Sequence, residues 1–223
     1  IHDGETVTSG QVLIRLDGSL LNTELAIVEG QYFEILARRG RLEAERADGT
    51  HITFPEELIA TATDRPELNA LMEGQSSLFA ARLDTLKQSL GQLAKQSEQV
   101  ESQIGGIDAQ ANALQKQRDF IAQELRDQRS LLEKGLAQAP RVLALEREAA
   151  RLDGQLGEIT ATRARAVTQL AEIDLSRLEK SATYREAAET ELRDLGYREL
   201  ELAERRRSLI EQVSRLEIRA PVS

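Results

Sequence analysis

The sequence predicts a mainly α-helical protein, built as a long antiparallel coiled-coil hairpin with an extra, shorter helix and a small β element formed by both termini. Two long runs of apolar residues, spaced alternately by three and four, carry this prediction. They are separated by a short break at Lys134-Gly135. The composition agrees, because only 3% of the 223 residues are aromatic while 30% are charged.

Composition also restricts function. The formal net charge of -9 disfavours binding to the phosphate backbone of a nucleic acid, so we expect no nucleic-acid partner. Cysteine is absent, which removes disulfides and thiol chemistry. His2 and His51 lie far apart in turn-rich segments, and neither predicts a metal site. No catalytic residue, cofactor or metal is therefore expected.

The first 65 residues divide into three predicted segments. Residues 1–17 contain turn dipeptides followed by the alternating residues Val12, Ile14 and Leu16, which indicate a short strand. Residues 18–47 predict a first helix, from about Ser19 to about Arg46. Its apolar stripe comprises Leu21, Leu25, Val28, Tyr32, Ile35 and Leu42, with Arg39 filling a gap. Residues 48–65 predict an extended return segment, with Pro55 able to open a short helical turn at Glu56–Leu58.

Residues 66–135 predict a long outward helix, because its apolar spacing does not slip along its length. We call the buried apolar positions of the two long helices the seam. In this helix the seam comprises Met72, Ser76, Phe79, Leu83, Leu86, Leu90, Leu93, Ser97, Val100, Ile104, Ile107, Ala111, Leu114, Arg118, Ile121, Leu125, Gln128 and Leu132. Gly105-Gly106 lies within this spacing without shifting it. The pair therefore predicts a weakened or closely packed place in the helix rather than a phosphate-binding loop.

Residues 136–140 predict the hairpin tip, since Gly135 suits a helix C′ position and Pro140 suits a helix start. Residues 141–216 predict the returning helix and residues 217–223 a short strand ended by Pro221. The returning seam comprises Leu145, Ala149, Leu152, Leu156, Ile159, Ala166, Leu170 and Ile173, then, after a register shift, Leu195, Leu202, Leu209, Val213 and Leu216. A break of a few residues forces the helices to fold back antiparallel, which brings the chain ends together. We expect the first helix to pack beside that end of the hairpin.

The two ends resemble the halves of a lipoyl/biotinyl domain. Residues 4–17, GETVTSGQVLIRLD, are similar to the first half, and residues 218–222, IRAPV, are similar to the start of the second. The carrier lysine between the halves is missing, and some 200 residues intervene. With the interior segments RRGRLEAER, ITFPEEL, GQSSLFAAR, LEKGL and LER, the whole chain resembles the haemolysin D family of membrane fusion proteins, or periplasmic adaptors, of type I secretion systems, in the branch that exports proteases and lipases.

That resemblance implies a location and partners. The parent protein would be periplasmic and anchored in the inner membrane by a segment outside this stretch. It would join an inner-membrane ABC transporter to a TolC-like outer-membrane channel protein at the hairpin tip, and would self-associate into a ring, six-membered by resemblance. In drug-efflux adaptors the tip carries Arg, Leu and Ser at set spacing. Aligning on Leu131-Leu132 puts Asp127 near the Arg position, between Arg126 and Arg129, and Gln138 at the Ser position, so that motif is partly kept.

The tip, from Leu131 to Arg141, is therefore the predicted partner-binding site. Its candidate residues are Arg129, Leu131, Leu132, Lys134, Gly135, Leu136, Gln138 and Arg141. Three other functions remain open at this stage: an adaptor of a multidrug efflux pump, a generic coiled-coil tether, and a carrier domain. The turn-rich strand at one end disfavours the tether, and the missing lysine disfavours the carrier domain.

Overall fold

The computed structural model describes residues 8–220. His2, Pro221 and Asp3-Gly4, the first of the turn dipeptides in residues 1–17, lie outside the described residues. This part of the chain is mainly helical, as predicted. Its elements in order are β1 (Val12–Arg15), α1 (Ser19–Arg46), α2 (Glu56–Ala62), α3 (Glu67–Glu133), α4 (Ala139–Ser214) and β2 (Glu217–Arg219). They divide into two compact units. We call residues 8–86 and 181–220 the terminal unit, and residues 87–180 the hairpin unit.

In the terminal unit, the two ends of the chain form one small antiparallel sheet. Val12 pairs with Arg219 and Ile14 with Ile218, with an irregularity in register between them. Backbone hydrogen bonds extend the pairing, from Gly10 N–H to the Ala220 carbonyl at 2.8 Å and from Leu16 N–H to the Leu216 carbonyl at 2.9 Å. The predicted β element formed by both termini is confirmed for these residues.

Helix α1 lies in the centre of the terminal unit and is buried on two sides. On one side Phe33 and Leu36 pack with Leu58 and Ala62 of α2 and Leu68 of α3. On another side, a second cluster is formed by Ile35, Leu42, Ala188 and Leu195. The single predicted stripe contained Tyr32, Ile35 and Leu42 but not Phe33 or Leu36. A helix with several neighbours needs a wider apolar face than one stripe.

The segment between α1 and α2 turns back at Asp48. This residue adopts φ 51°, and the N–H of Gly49 donates to the Ala44 carbonyl at 2.8 Å, which closes the helix end with a Schellman motif. A Cβ on Gly40 would lie 3.1 Å from both the Phe54 ring and the Thr53 carbonyl oxygen. Gly40 therefore lets the extended stretch after the turn lie directly on α1.

The structure differs from the predicted extended segment 48–65 in its second half. Residues Glu56–Ala62 form helix α2, which is seven residues long. Leu58 and Ala62 are both buried, and their spacing of four places them on one side of that helix. The sequence signal of Pro55 indicated only the first turn of this helix. Burial of Ala62 one turn later explains why it continues.

The terminal unit also buries a charged network. Arg41 and Glu45 are almost completely inaccessible to solvent, and Arg41 Nη1 donates to Glu45 Oε1 at 2.6 Å. Arg41 Nε donates to Gln75 Oε1 at 2.8 Å, and Arg82 Nη2 lies 3.3 Å from Glu45 Oε2. Glu191 of α4 accepts from Arg38 at 3.1 Å. The network therefore connects α1 with both long helices.

The hairpin unit has a narrower core between α3 and α4. Val100, Ile107 and Ala166 are buried there, with Ile104, Ile159, Leu170 and Ile173 packed against them. All seven are predicted seam positions. Ion pairs cross between the helices on the surface, such as Arg163 with Asp108 at 2.7 Å and Arg118 with Asp153 at 3.1 Å. A single apolar row with charged flanks is the pattern of a two-helix coiled coil.

Candidate partner-binding tip of the hairpin

The hairpin reverses over the five residues 134–138, between the end of α3 and the start of α4. Gly135 has φ 71°, and its N–H donates to the Leu132 carbonyl at 2.9 Å. The Leu136 N–H donates to the Leu131 carbonyl at 2.8 Å. Together these bonds form a Schellman motif that satisfies two carbonyl groups at the end of α3. The tip thus has one defined backbone conformation.

Glycine is required at position 135 for its backbone rather than for space. No atom lies within 4 Å of the position that a Cβ would occupy. A side chain there would instead be forced into the left-handed region, which costs an L-residue roughly 1 kcal/mol. On the other side of the turn, the Arg141 N–H donates to the Gln138 carbonyl at 3.0 Å as α4 begins. The tip is therefore defined by glycine at one end and the Ala139-Pro140 helix start at the other.

The predicted tip residues differ in what they offer a partner. Leu136 is 74% exposed, and Leu131 is also exposed, whereas Leu132 is half-buried. Lys134 and Gln138 are exposed beside them. The tip therefore presents a leucine on a rigid turn, next to a positive charge and an amide.

The two predicted arginines have partners within the hairpin. Arg129 Nη2 lies 2.5 Å from Glu146 Oε1, and Arg141 pairs with Glu124. Both pairs link α3 to α4 just below the turn. All four side chains are about half exposed, so each pair stabilises the hairpin by no more than about 1 kcal/mol. These arginines position the tip, and a partner would meet two neutralised pairs rather than free cations.

Sequence reasoning missed one exposed apolar residue near the tip. Leu143 is 51% exposed, while its neighbours Val142 and Leu145 are buried. The signal was present, because the seam spacing assigns Leu145 to the core and leaves Leu143 outside it. Leu131, Leu136 and Leu143 together make an apolar set at this end of the hairpin unit.

Two further features concern metal-binding groups and membrane-spanning helices. Between residues 8 and 220, no group of three or more His, Cys, Asp or Glu side chains is arranged to hold a metal ion. Over the same stretch, none of the helices combines the length and the apolarity needed to cross a bilayer. His51 is exposed, with its Nδ1 3.4 Å from the Thr50 hydroxyl. The geometry is that of a helical hairpin with a defined turn at its tip.

Comparison with known proteins identifies the family to which this helical hairpin belongs. The chain belongs to the AprE long α-helical hairpin family, whose model matches residues 21–212. It is 37% identical over its whole length to the type I secretion system membrane fusion protein PrsE of Rhizobium meliloti (strain 1021), and 24% identical to the proteases secretion protein PrtE of Dickeya chrysanthemi. The chain spans 51% and 50% of those two proteins, about half of each.

A solved structure shows the same fold. The soluble domain of LipC, a membrane fusion protein of a type I secretion system, superposes with a TM-score of 0.91 at 23% sequence identity. The match covers 100% of this chain and 83% of that one. The resemblance to membrane fusion proteins of type I secretion systems is confirmed by the family model and the relatives, and the structure confirms the predicted fold class.

Proposed function

We propose that this chain is the hairpin arm of a periplasmic adaptor in a type I secretion system, and that the adaptor carries protein export across a Gram-negative envelope. The observation that carries the proposal is the family hairpin with a rigid tip at Gly135 that exposes Leu136. A relative that is 37% identical over the whole chain is named as a membrane fusion protein of such a system. That name favours protein secretion over drug efflux.

The proposed partners rest on the family and on the exposed residues of the tip. The tip binds a TolC-like outer-membrane channel protein, with Leu136 and Leu131 as the apolar contacts and Lys134 and Gln138 as polar ones. The parent protein is anchored in the inner membrane beside an ABC transporter, and copies of the adaptor self-associate into a ring, six-membered by resemblance. An apolar side chain on a rigid turn suits this role, because it loses little conformational freedom on binding.

The sharpest test of the tip is Leu136→Asp in the full-length protein. Its side chain is already exposed, so the change leaves the folded hairpin intact, but a buried unpaired charge at an interface costs several kcal/mol. We expect export of the cognate protein to fall at least tenfold. We also expect loss of copurification with the outer-membrane channel protein.

Phe120→Asp is the matched control, because Phe120 is 70% exposed on α3 well away from the turn. Its export should stay near wild type. Normal export by Leu136→Asp, or equal loss in both variants, would remove the tip from the mechanism. Leu132 is a poorer choice of test because it is half-buried within the hairpin.

A further inference from the structure

We propose that one glutamine-rich side of α3 contacts the exported polypeptide while that polypeptide passes along the hairpin in an extended conformation. We call the exposed residues Gln92, Gln96, Gln99, Gln103, Gln110 and Gln117 the glutamine face. The proposal rests on the proposed function, since it needs a protein that is exported. It adds a contact with the transported chain to the contact with the channel protein at the tip.

The glutamine face forms a continuous row along the helix. Its residues are separated by four, three, four, seven and seven positions, and the positions skipped by the longer steps hold Gly106 and Ala113. Steps of three and four keep side chains on one side of a helix. The row is about 38 Å long, a distance that an extended polypeptide covers with about a dozen residues. It contains no charged residue.

The other side of the α3 seam is acidic over the same length. Glu98, Glu101, Asp108 and Asp119 lie there, and Asp108 pairs with Arg163 of α4 at 2.7 Å. A two-helix coiled coil usually carries charged residues on both sides of its seam. Solubility alone therefore does not explain why one side has only amides and small residues.

Helix α4 extends the uncharged surface. Gln155, Thr162 and Gln169 follow one another at seven-residue intervals. One heptad beyond the glutamine face, Glu124 of α3 pairs with Arg141, which lies two heptads before Gln155 on α4. That ion pair shows that the α4 row and the glutamine face lie on the same side of the hairpin.

Between the two rows lies a groove of about 290 Å³. Its lining consists of Gln96, Gln99, Gln103 and Gln169, together with the seam residues Val100 and Ile173. Within residues 8–220, no amide of the glutamine face is hydrogen-bonded to another protein group, and the glutamine bond nearby joins Gln115 to Asp119 on the acidic side. The amides are therefore available to a partner, and each offers both donors and an acceptor, as a peptide group does.

This chemistry fits an unfolded polypeptide in transit. Such a chain exposes peptide N–H and C=O groups whatever its sequence, and amide side chains can hydrogen-bond to both. Each such bond replaces bonds to water with little net gain, so no segment is held for long. Fixed charges would retain segments of opposite charge, and a large apolar surface would retain apolar segments. The glutamine face has neither.

A stable interface with a folded partner would need a different surface. The centres of such interfaces are rich in tryptophan, tyrosine and arginine side chains that fill pockets. The glutamine face contains none of these, and the exposed Phe120 lies one turn beyond its end. This composition therefore favours weak, successive contacts over a permanent partner.

Photo-cross-linking in the full-length protein tests the contact directly. The cognate exported protein, fused to a rapidly folding domain, would arrest during export with an unfolded stretch inside the assembled system. Benzoylphenylalanine in place of Gln103 should then form several-fold more adduct with this exported protein than benzoylphenylalanine in place of Asn112. Asn112 is exposed on α3 within the length of the glutamine face, but on the acidic side of the seam.

Added positive charge gives a second test, because lysines on the glutamine face should retain acidic segments of the passing chain. The variant carries Gln96→Lys, Gln103→Lys and Gln110→Lys. Its control adds the same charge at exposed positions elsewhere on this stretch of α3, by Ser102→Lys, Ala109→Lys and Asn112→Lys. The variant should slow export of the cognate protein several-fold when an acidic segment is inserted into that protein, and the control should not. Both should keep wild-type helicity by circular dichroism.

Two results would overturn this proposal while leaving the adaptor role intact, because Leu136→Asp tests that role separately. One is an equal yield of exported-protein adduct at Gln103 and Asn112, or an adduct at Gln103 only with a second copy of the adaptor. The other is unchanged export of the acidic cargo by the lysine variant. Undiminished export in cells that lack the whole protein would instead remove the proposed function itself.

Discussion

The terminal unit and the hairpin unit share α3 and α4, yet they are stabilised in different ways. The terminal unit adds α1 and α2, and so encloses Phe33, Leu36 and a charged pair, Arg41 with Glu45. The hairpin unit has one apolar row and exposed ion pairs. Two long helices alone bury little beyond their seam, and a third helix is what creates an enclosed core. Similar substitutions should therefore have very different effects in the two units.

The largest difference in stability between the two units is expected when a phenylalanine in each is replaced by alanine. Phe33 is fully buried in the terminal unit, with the Arg206 guanidinium 5.3 Å and that of Arg65 5.7 Å from its ring. Phe33→Ala should lower the free energy of unfolding by about 4 kcal/mol, through lost burial and the remaining cavity. Phe120→Ala in the hairpin unit should change it by less than about 0.5 kcal/mol.

Urea unfolding followed by circular dichroism measures both changes. The signal must be resolved by unit, because the two units need not unfold together. If both alanine variants lost the same stability, the distinction between an enclosed core and a single seam would be wrong.

The second comparison concerns charge. Glu45→Leu leaves buried Arg41 with only Gln75 and Glu191 as partners, the Glu191 Oε2 lying 3.6 Å from Arg41 Nη2. This change should lower the free energy of unfolding by about 3 kcal/mol. Asp108→Leu removes an exposed ion pair with Arg163 and should lower the free energy of unfolding by less than about 1 kcal/mol. Denaturation midpoints of the two variants give these values.

Salt and a double variant sharpen this test. Added salt should shrink the effect of Asp108→Leu but leave that of Glu45→Leu nearly unchanged, because buried charges are poorly screened. The double variant Arg41→Met with Glu45→Leu should recover part of the loss. A salt-sensitive Glu45 effect would mean that the pair is hydrated rather than enclosed.

The same contrast explains what the sequence could predict. In the hairpin unit two helices meet along one row, so a spacing of three and four locates Val100, Ile107 and Leu152 in the core directly. The hairpin reversal was equally accessible, because a left-handed residue at a helix end favours glycine at position 135. For both features, local chemistry decides the structure.

In the terminal unit, burial depends on contacts that are distant in sequence. Phe33 is buried by α2 and α3, and Ala188, which lies in the predicted register shift, is buried against α1. The burial of Arg41 and Glu45 could not be read from their types, since charged pairs four apart on a helix are usually solvated. At the tip, the sequence located the candidate residues but not that Arg129 and Arg141 are already paired.

Replacing glycine by alanine should have smaller effects on stability, and these effects should have opposite signs in the two units. Gly40→Ala should destabilise the terminal unit by about 1–2 kcal/mol, because its Cβ would meet the Thr53 carbonyl oxygen at 3.1 Å. Gly106→Ala in α3 should stabilise the hairpin unit by about 0.5–1 kcal/mol, since nothing lies near its Cβ position and alanine is the better helix former. Thermal unfolding of both variants checks the two signs. Destabilisation by Gly106→Ala would indicate that a neighbouring helix uses that space.

The smallest effect is expected at the strand pair of the terminal unit. Hydrogen bonds from the Arg219 and Arg15 guanidinium groups lower the pKa of Glu217. A carboxyl group with a lowered pKa stabilises the folded state above its ordinary pKa of about 4.5, and this contribution is lost as the pH falls through the folded-state pKa. Opening of β1 from β2 should therefore become easier in acid.

Glu217→Gln isolates this contribution, because it keeps the size of the side chain and removes the charge. At about pH 6 the amides of Arg15 and Leu16 should exchange faster with solvent in the variant than in the wild type, and this difference should shrink as the pH falls through the folded-state pKa of Glu217, because the wild-type carboxyl then becomes protonated. Comparing the proteins at each pH cancels the intrinsic pH dependence of exchange. A difference that did not shrink with falling pH would show that the shape of Glu217, rather than its charge, holds the strands together.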